Sequence, residues 1–142
     1  MPVEASGLDL QRLGELLADR GAQCLYLSTF HNPTGDVLTD LKRHQLVKMA
    51  QEVSLPLIED LTLANIVLGK EPPPPLAAYA QEGAVITIGS LSKIFWAGLR
   101  VGWIRGTVSL IERLVRLKAV PDLGSSMVSQ LMSRKYAARQ TE

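Results

Sequence analysis

An α/β fold, with a mostly parallel sheet and flanking helices, is what this sequence predicts, and three observations predict it. Four short apolar runs, AQCLYLSTF, LPLIED, AVITIGS and VGWIRG, have the length and continuity of buried strands. Segments with apolar residues at helical spacing fall before, between and after them, the alternation that builds a parallel sheet. Polar residues able to do chemistry gather at the carboxyl ends of the first three runs.

Leu10, Leu13, Leu16 and Leu17 in LDLQRLGELLAD recur at helical spacing, and Gly21 follows as a C-cap. AQCLYLSTF reads as a buried strand, with Cys24 an inert buried thiol, and HNPTG ends it as a turn. Thr39 is placed to cap the next helix, whose apolar face is Leu46, Met49, Ala50 and Val53. LPLIED is a second strand ending in two carboxylates. LTLANIVLGK is a loop or short helix leading into EPPPPL, which should be extended and exposed. AVITIGS is the third strand and VGWIRG the fourth. Val108, Ile111, Val115 and Ala119 line one side of a further helix, and Leu110, Leu114 and Leu117 widen its apolar face. Two apolar faces predict cover on both sides. The tail SRKYAARQTE is polar and reads as frayed or artificially terminated.

The 142 residues are 46% hydrophobic and 20% charged, the balance of an ordinary globular protein of one domain. A net charge of +1 argues against nucleic acid or an acidic membrane as partner of this segment. No stretch approaches the roughly 18 uncharged apolar residues of a membrane span. The N-terminal MPVEASGLDLQRLGE carries charges where a signal peptide would be apolar, and one cysteine excludes an internal disulfide. A cytoplasmic protein is the expectation.

In a parallel sheet, carboxyl strand ends share one edge, where open α/β folds bind ligands. That edge collects Asn32 after the first strand, Asp60 at the end of the second, and Ser90, Ser92 and Lys93 after the third. Each has a plainer reading: Asn32 as the start of a turn with Pro33 and Gly35, Asp60 and the serines as caps of local structure, and Lys93 as a snorkelling side chain. Their coincidence on one edge favours a site. A lysine withdrawn from water loses its proton more easily and attacks carbonyls. Small hydroxyls with Arg100 can hold a phosphate, and a carboxylate can pair with a protonated ring nitrogen. Amine, phosphate cradle and carboxylate together describe a site for pyridoxal 5′-phosphate. No metal site is expected, because His31 and His44 lack ligand-like spacing. Neither a P-loop nor a G-x-G-x-x-G occurs.

HNPTG, IED and GSLSKIFWAGLRVGW resemble the signature segments of fold-type I, class I/II aminotransferases. The run from IEDLTLANI through PPPPLAAY to GSLSKIFWAGLRVGWIRG is most similar to the aminotransferase-like domain of MocR-type, GntR-family regulators. The resemblance covers residues 8–130, with 131–142 a polar tail, and implies that 1–142 is a single segment, the central part of a fold-type I large domain. It implies that the four strands lie side by side, with VGWIRG antiparallel at one end, and that missing strands leave an apolar edge prone to associate. It implies Lys93 as the Schiff-base lysine that moves the substrate's Cα proton, and Asp60 on the pyridine nitrogen. It further implies Asn32 on the 3′-oxygen, an Asn32–Pro33 bond that is often cis, and Ser90, Ser92 and Arg100 on the phosphate.

The function so implied is amino-group transfer between an amino acid and a 2-oxo acid, in a full-length parent that is a homodimer. The alternative is a cofactor- or effector-sensing domain of a transcription regulator with little or no turnover. Thr62 and Leu63 stand where the family commonly has a tyrosine, which favours that alternative. Nothing in the chain reads as a DNA-binding helix-turn-helix; a winged helix upstream would be the DNA-binding part.

Overall fold

The computed structural model describes residues 3–4, 7–18, 21–66, 72–81, 83–122 and 124–139. A short antiparallel ribbon comes first, β1 (Val3–Glu4) with β2 (Gly7–Leu8), which the sequence pattern did not announce. Helix α1 (Leu10–Ala18) follows, then β3 (Leu25–Ser28), α2 (Asp40–Glu52), β4 (Leu57–Asp60), β5 (Val85–Ser90) and β6 (Gly102–Arg105). Helices α3 (Val108–Lys118) and α4 (Met127–Arg139) complete the order.

The main sheet runs β3-β4-β5-β6, as the family resemblance implied. The first three strands are parallel, with Ser28 opposite Asp60 and Asp60 opposite Ile88, and β6 returns antiparallel against β5. A Cβ at Gly89 would lie 2.4 Å from ring carbons of Trp103, so only glycine admits that indole across the β5–β6 pair. Each parallel strand alternates. Leu25, Leu27, Leu57, Glu59, Val85 and Thr87 are buried on one face, while the intervening residues are half-buried or exposed. The buried face packs with Leu13 and Leu17 of α1, with Leu46, Val47 and Ala50 of α2, and with Leu76.

Thr39 caps α2 as its sequence suggested, its hydroxyl accepting from the Lys42 N–H at 3.4 Å. The buried positions of that helix are Arg43, Leu46, Val47 and Ala50, an i, i+3, i+4, i+7 stripe. Val53 lies beyond the helix as its C-cap and is exposed, because the stripe turns towards Arg43 instead.

Arg43 is buried because Glu59 is there to meet it. Both side chains are fully buried, with Arg43 Nη2 2.8 Å from Glu59 Oε1. The Thr29 hydroxyl donates to the same oxygen at 2.7 Å, and the Leu76 N–H donates to Glu59 Oε2 at 2.8 Å. Arg43 Nη2 also donates to the Pro74 carbonyl at 2.7 Å. The proline run is thereby tied to the core through its backbone. Pro72 and Pro74 are exposed and Pro73 and Pro75 half-buried, with Leu76 fully buried behind them. Residues 67–71 of the preceding loop lie outside the described residues; before them, Ala64–Ile66 forms one 3₁₀ turn.

Three expectations are corrected. Cys24 is exposed, since the chain meets the sheet only at Leu25 and residues 21–24 precede it in solvent. Helix α3 buries no residue at all: Val108 is 76% and Leu117 66% exposed. Spacing revealed an apolar helix face, but no described element covers it. The tail is also not frayed over 131–139, because α4 runs through it. Ser126 accepts from the Ser129 N–H at 3.3 Å at the helix start, and Tyr136 stacks against Phe95 with ring centroids 4.5 Å apart. Methionine, leucine and alanine are good helix formers, which the polar composition of the tail obscured. Gly21 as a helix cap cannot be placed, as residues 19–20 lie outside the described ones.

Removing one partner of the buried pair leaves the other charged and unpaired. Glu59→Ala is expected to lower unfolding stability by about 3–5 kcal/mol in urea titration. Replacing both partners together, Arg43→Met with Glu59→Leu, should cost far less than the single change.

Candidate functional site

The carboxyl edge of β3, β4 and β5 is where the sequence argument placed its residues. Asp60 is the last residue of β4, and strand alternation turns it away from the face that buries Glu59. Its Oδ1 accepts the Thr62 N–H at 2.8 Å, and its Oδ2 accepts the hydroxyl of Tyr26. Among the described residues no cation is paired with it.

Asn32 is held in the turn after β3. Phe30 and Val37 bridge the base of that turn, the His31 N–H donates to the Asp36 carbonyl at 2.9 Å, and the Gly35 N–H donates to the His31 carbonyl at 2.7 Å. Gly35 takes a positive φ of 73°, and the Asn32–Pro33 peptide is cis, as the resemblance suggested. His31 Nδ1 and the Thr34 hydroxyl are 2.9 Å apart, and that hydroxyl donates to Asp36 Oδ2 at 2.6 Å.

Beyond β5, the Ser92 N–H donates to Ser90 Oγ at 3.1 Å, closing a tight turn that carries Lys93. The Leu91 N–H donates to the Val101 carbonyl at 3.0 Å. Arg100 ends a 3₁₀ turn (Ala97–Leu99) with φ 52°, a left-handed conformation uncommon for a residue with a side chain.

A cavity of about 490 Å³ opens on this edge, lined among others by Tyr26, His31, Asn32, Asp60, Leu63 and Lys93. Three of the expected residues, Asn32, Asp60 and Lys93, thus face one space. Ser90 ends β5, Ser92 and Arg100 sit in the adjoining loop, and none of the three is among the cavity's lining residues. Lys93 and Arg100 are both exposed. The amine is therefore not withdrawn from water: neighbouring Phe95 and Trp96 are themselves exposed, although Tyr136 of α4 stacks on the Phe95 ring.

Tyr26 is the residue that sequence reasoning missed. Its pKa is pushed up to about 12, first by the hydrogen bond to Asp60, then by burial and by the carboxylate's charge. The signal was present in strand period: Tyr26 and Ser28 share a face, and Ser28 is the register partner of Asp60. Among the described residues no cluster of three or more His, Cys, Asp and Glu side chains could hold a metal ion. None of the described helices is long and apolar enough to cross a membrane.

Fold and crevice define a class: an α/β protein with an acid, an amide and an amine at the carboxyl edge of its parallel strands. The chain belongs to the aminotransferase class I and II family, whose model matches residues 1–139. It is 32% identical over 140 residues to an HTH-type transcriptional regulator, YisV, of Bacillus subtilis, covering 98% of this chain and 29% of that protein. The multiple substrate aminotransferase of Thermococcus profundus superposes with a TM-score of 0.86 at 28% identity, over 98% of this chain and 36% of that one. LysN, an α-aminoadipate aminotransferase of Thermus thermophilus, superposes with a TM-score of 0.82 at 30% identity, over 98% and 38%. That crystal structure is a complex with N-(5′-phosphopyridoxyl)-L-leucine. The chain thus spans well under half the length of each of these relatives.

Proposed function

We propose that this chain is the pyridoxal 5′-phosphate-binding part of an aminotransferase class I/II-type domain, in which Lys93 forms the Schiff base for transfer of an amino group between an amino acid and a 2-oxo acid. The observation that carries the reading is the convergence of Asn32, Asp60 and Lys93 on one cavity of about 490 Å³, a size usual for small-molecule and cofactor sites.

The donor set fits the cofactor. Asp60 is a carboxylate without a cationic partner among the described residues and can hold a protonated ring nitrogen. Asn32 can donate its amide to the ring oxygen. Lys93 offers the amine that would capture the aldehyde, and Ser90 at the end of β5, with Ser92 and Arg100 of the adjoining loop, would bind the phosphate. When bound, the cofactor supplies an electron sink for negative charge at the substrate's α-carbon. Once the incoming amino acid has displaced its amine from the aldehyde, Lys93 would accept the proton from that carbon and would deliver it to the former aldehyde carbon, so that the amino group stays with the cofactor and the 2-oxo acid leaves. Asp60 would hold the protonated ring nitrogen through a charge-assisted hydrogen bond. The amino acid or 2-oxo acid is the small-molecule partner, and a homodimer is the proposed state of a full-length parent.

The second reading is a ligand-sensing domain of a transcription regulator that binds the cofactor without useful turnover. Its support is YisV among the relatives, and Thr62 and Leu63 at the positions where a tyrosine would help tune the Schiff base. Amino acid added to the loaded protein separates the two: release of a 2-oxo acid marks an enzyme, and a spectral change without release marks a sensor.

Titration with pyridoxal 5′-phosphate should produce a visible absorption band, and borohydride should trap the adduct on the peptide bearing Lys93. Lys93→Ala is expected to abolish both; an unchanged trapped adduct in that variant would overturn the lysine assignment. Asp60→Ala should weaken cofactor retention by about 100-fold or more, as expected when a buried cation loses its carboxylate.

A further inference from the structure

We infer that Tyr26 is the positioning residue for Asp60, holding its carboxylate in the plane that a cationic ring nitrogen requires. The inference rests on the cofactor reading above.

The geometry is directional. Tyr26 lies two residues before Ser28 in β3, and Ser28 is the partner of Asp60 across the parallel pair. At roughly 3.3 Å per residue, the phenol must lean about 6.6 Å towards the carboxyl edge to reach Asp60, close to the reach of a tyrosine side chain. It does so, donating its hydroxyl to Oδ2. The Thr62 N–H donates to Oδ1 from the other side. One donor on each oxygen stops the carboxyl group from rotating, and each oxygen keeps a further lone pair for a ligand.

Core packing does not explain the tyrosine. Tyr26 is 51% exposed, on the opposite face from buried Leu25 and Leu27, and its ring lines the cavity. Neutral donors also suit the task. A resident lysine or arginine on Asp60 would neutralise the charge that a cationic ring needs, whereas a phenol and an amide stabilise the carboxylate and leave its charge available. The hydroxyl itself remains protonated far above neutral pH, so it donates under all ordinary conditions.

The test uses the full chain as wild type, Tyr26→Phe and Asp60→Asn. Ultraviolet titration of the phenols, with Tyr26→Phe subtracted from wild type, isolates Tyr26 from Tyr79 and Tyr136. Its ionisation should fall near pH 12 and move down towards 10 in Asp60→Asn. Equilibrium dialysis with pyridoxal 5′-phosphate should show roughly tenfold weaker retention by Tyr26→Phe, the worth of one charge-assisted hydrogen bond. The pH profile of the bound cofactor's visible absorption should shift in the same variant, with the far-ultraviolet circular dichroism unchanged. Ordinary ionisation of Tyr26 in wild type, or an unaltered affinity and pH profile in Tyr26→Phe, overturns the inference. A wild-type chain that retains no cofactor overturns the reading beneath it, and the phenol titration then shows separately whether the two side chains are paired.

Discussion

The fully buried pair of Arg43 and Glu59 is the constraint around which this chain is arranged. A charge without a partner in the core would cost several kcal/mol, so the helix that brings Arg43 and the strand that brings Glu59 have little freedom to slide. The same carboxylate receives the Thr29 hydroxyl from the end of β3 and the Leu76 N–H from beyond the proline run. Three stretches distant in sequence are thus tied to one residue. Two of the Arg43 nitrogens, Nε and Nη1, find no acceptor among the described residues, so the pair fixes register without satisfying every donor.

That anchor matters to the site because the next residue is Asp60. Successive side chains of a strand point to opposite faces, so the last two residues of β4 divide the work. Glu59 goes into the core and locks the strand; Asp60 goes into the cavity with the precision that the lock confers. Ladder bonds continue past the strand ends, from the Thr29 N–H to the Asp60 carbonyl at 3.0 Å and from the Leu61 N–H to the Ile88 carbonyl at 2.8 Å. The crevice edge is therefore built on ordered backbone rather than on free loop. On the β5 side Lys93, Phe95 and Trp96 are all exposed, in a turn held by Ser90 Oγ, by the Val101 and Leu91 carbonyls, and by Tyr136 against Phe95.

Much of this was legible beforehand. The four strands are where short apolar runs put them, β6 is antiparallel as the resemblance required, and Thr39 caps α2. Asn32, Asp60 and Lys93 do face one space. What misled was the inference from apolar character to burial. Cys24, Val108, Val115 and Leu117 of α3, and Phe95 and Trp96 beside Lys93 lie in apolar sequence, yet each is exposed. Apolar residues state a preference for cover; they do not name what covers them. Arg43 shows the converse, a charged residue that no apolar pattern marks and that lies in the core because its partner stands 16 positions along the chain.

The sequence by itself determined the order and type of the strands and helices, and hence which strand ends share an edge, because side-chain period and turn chemistry are local properties. Which side chains meet across that edge was decided only by the tertiary structure. The hydroxyl of Tyr26 reaches a carboxylate 34 residues away, and Glu59 and Asp60 part to opposite faces with different partners. Such contacts depend on register and on the distances between strands, which no local pattern encodes.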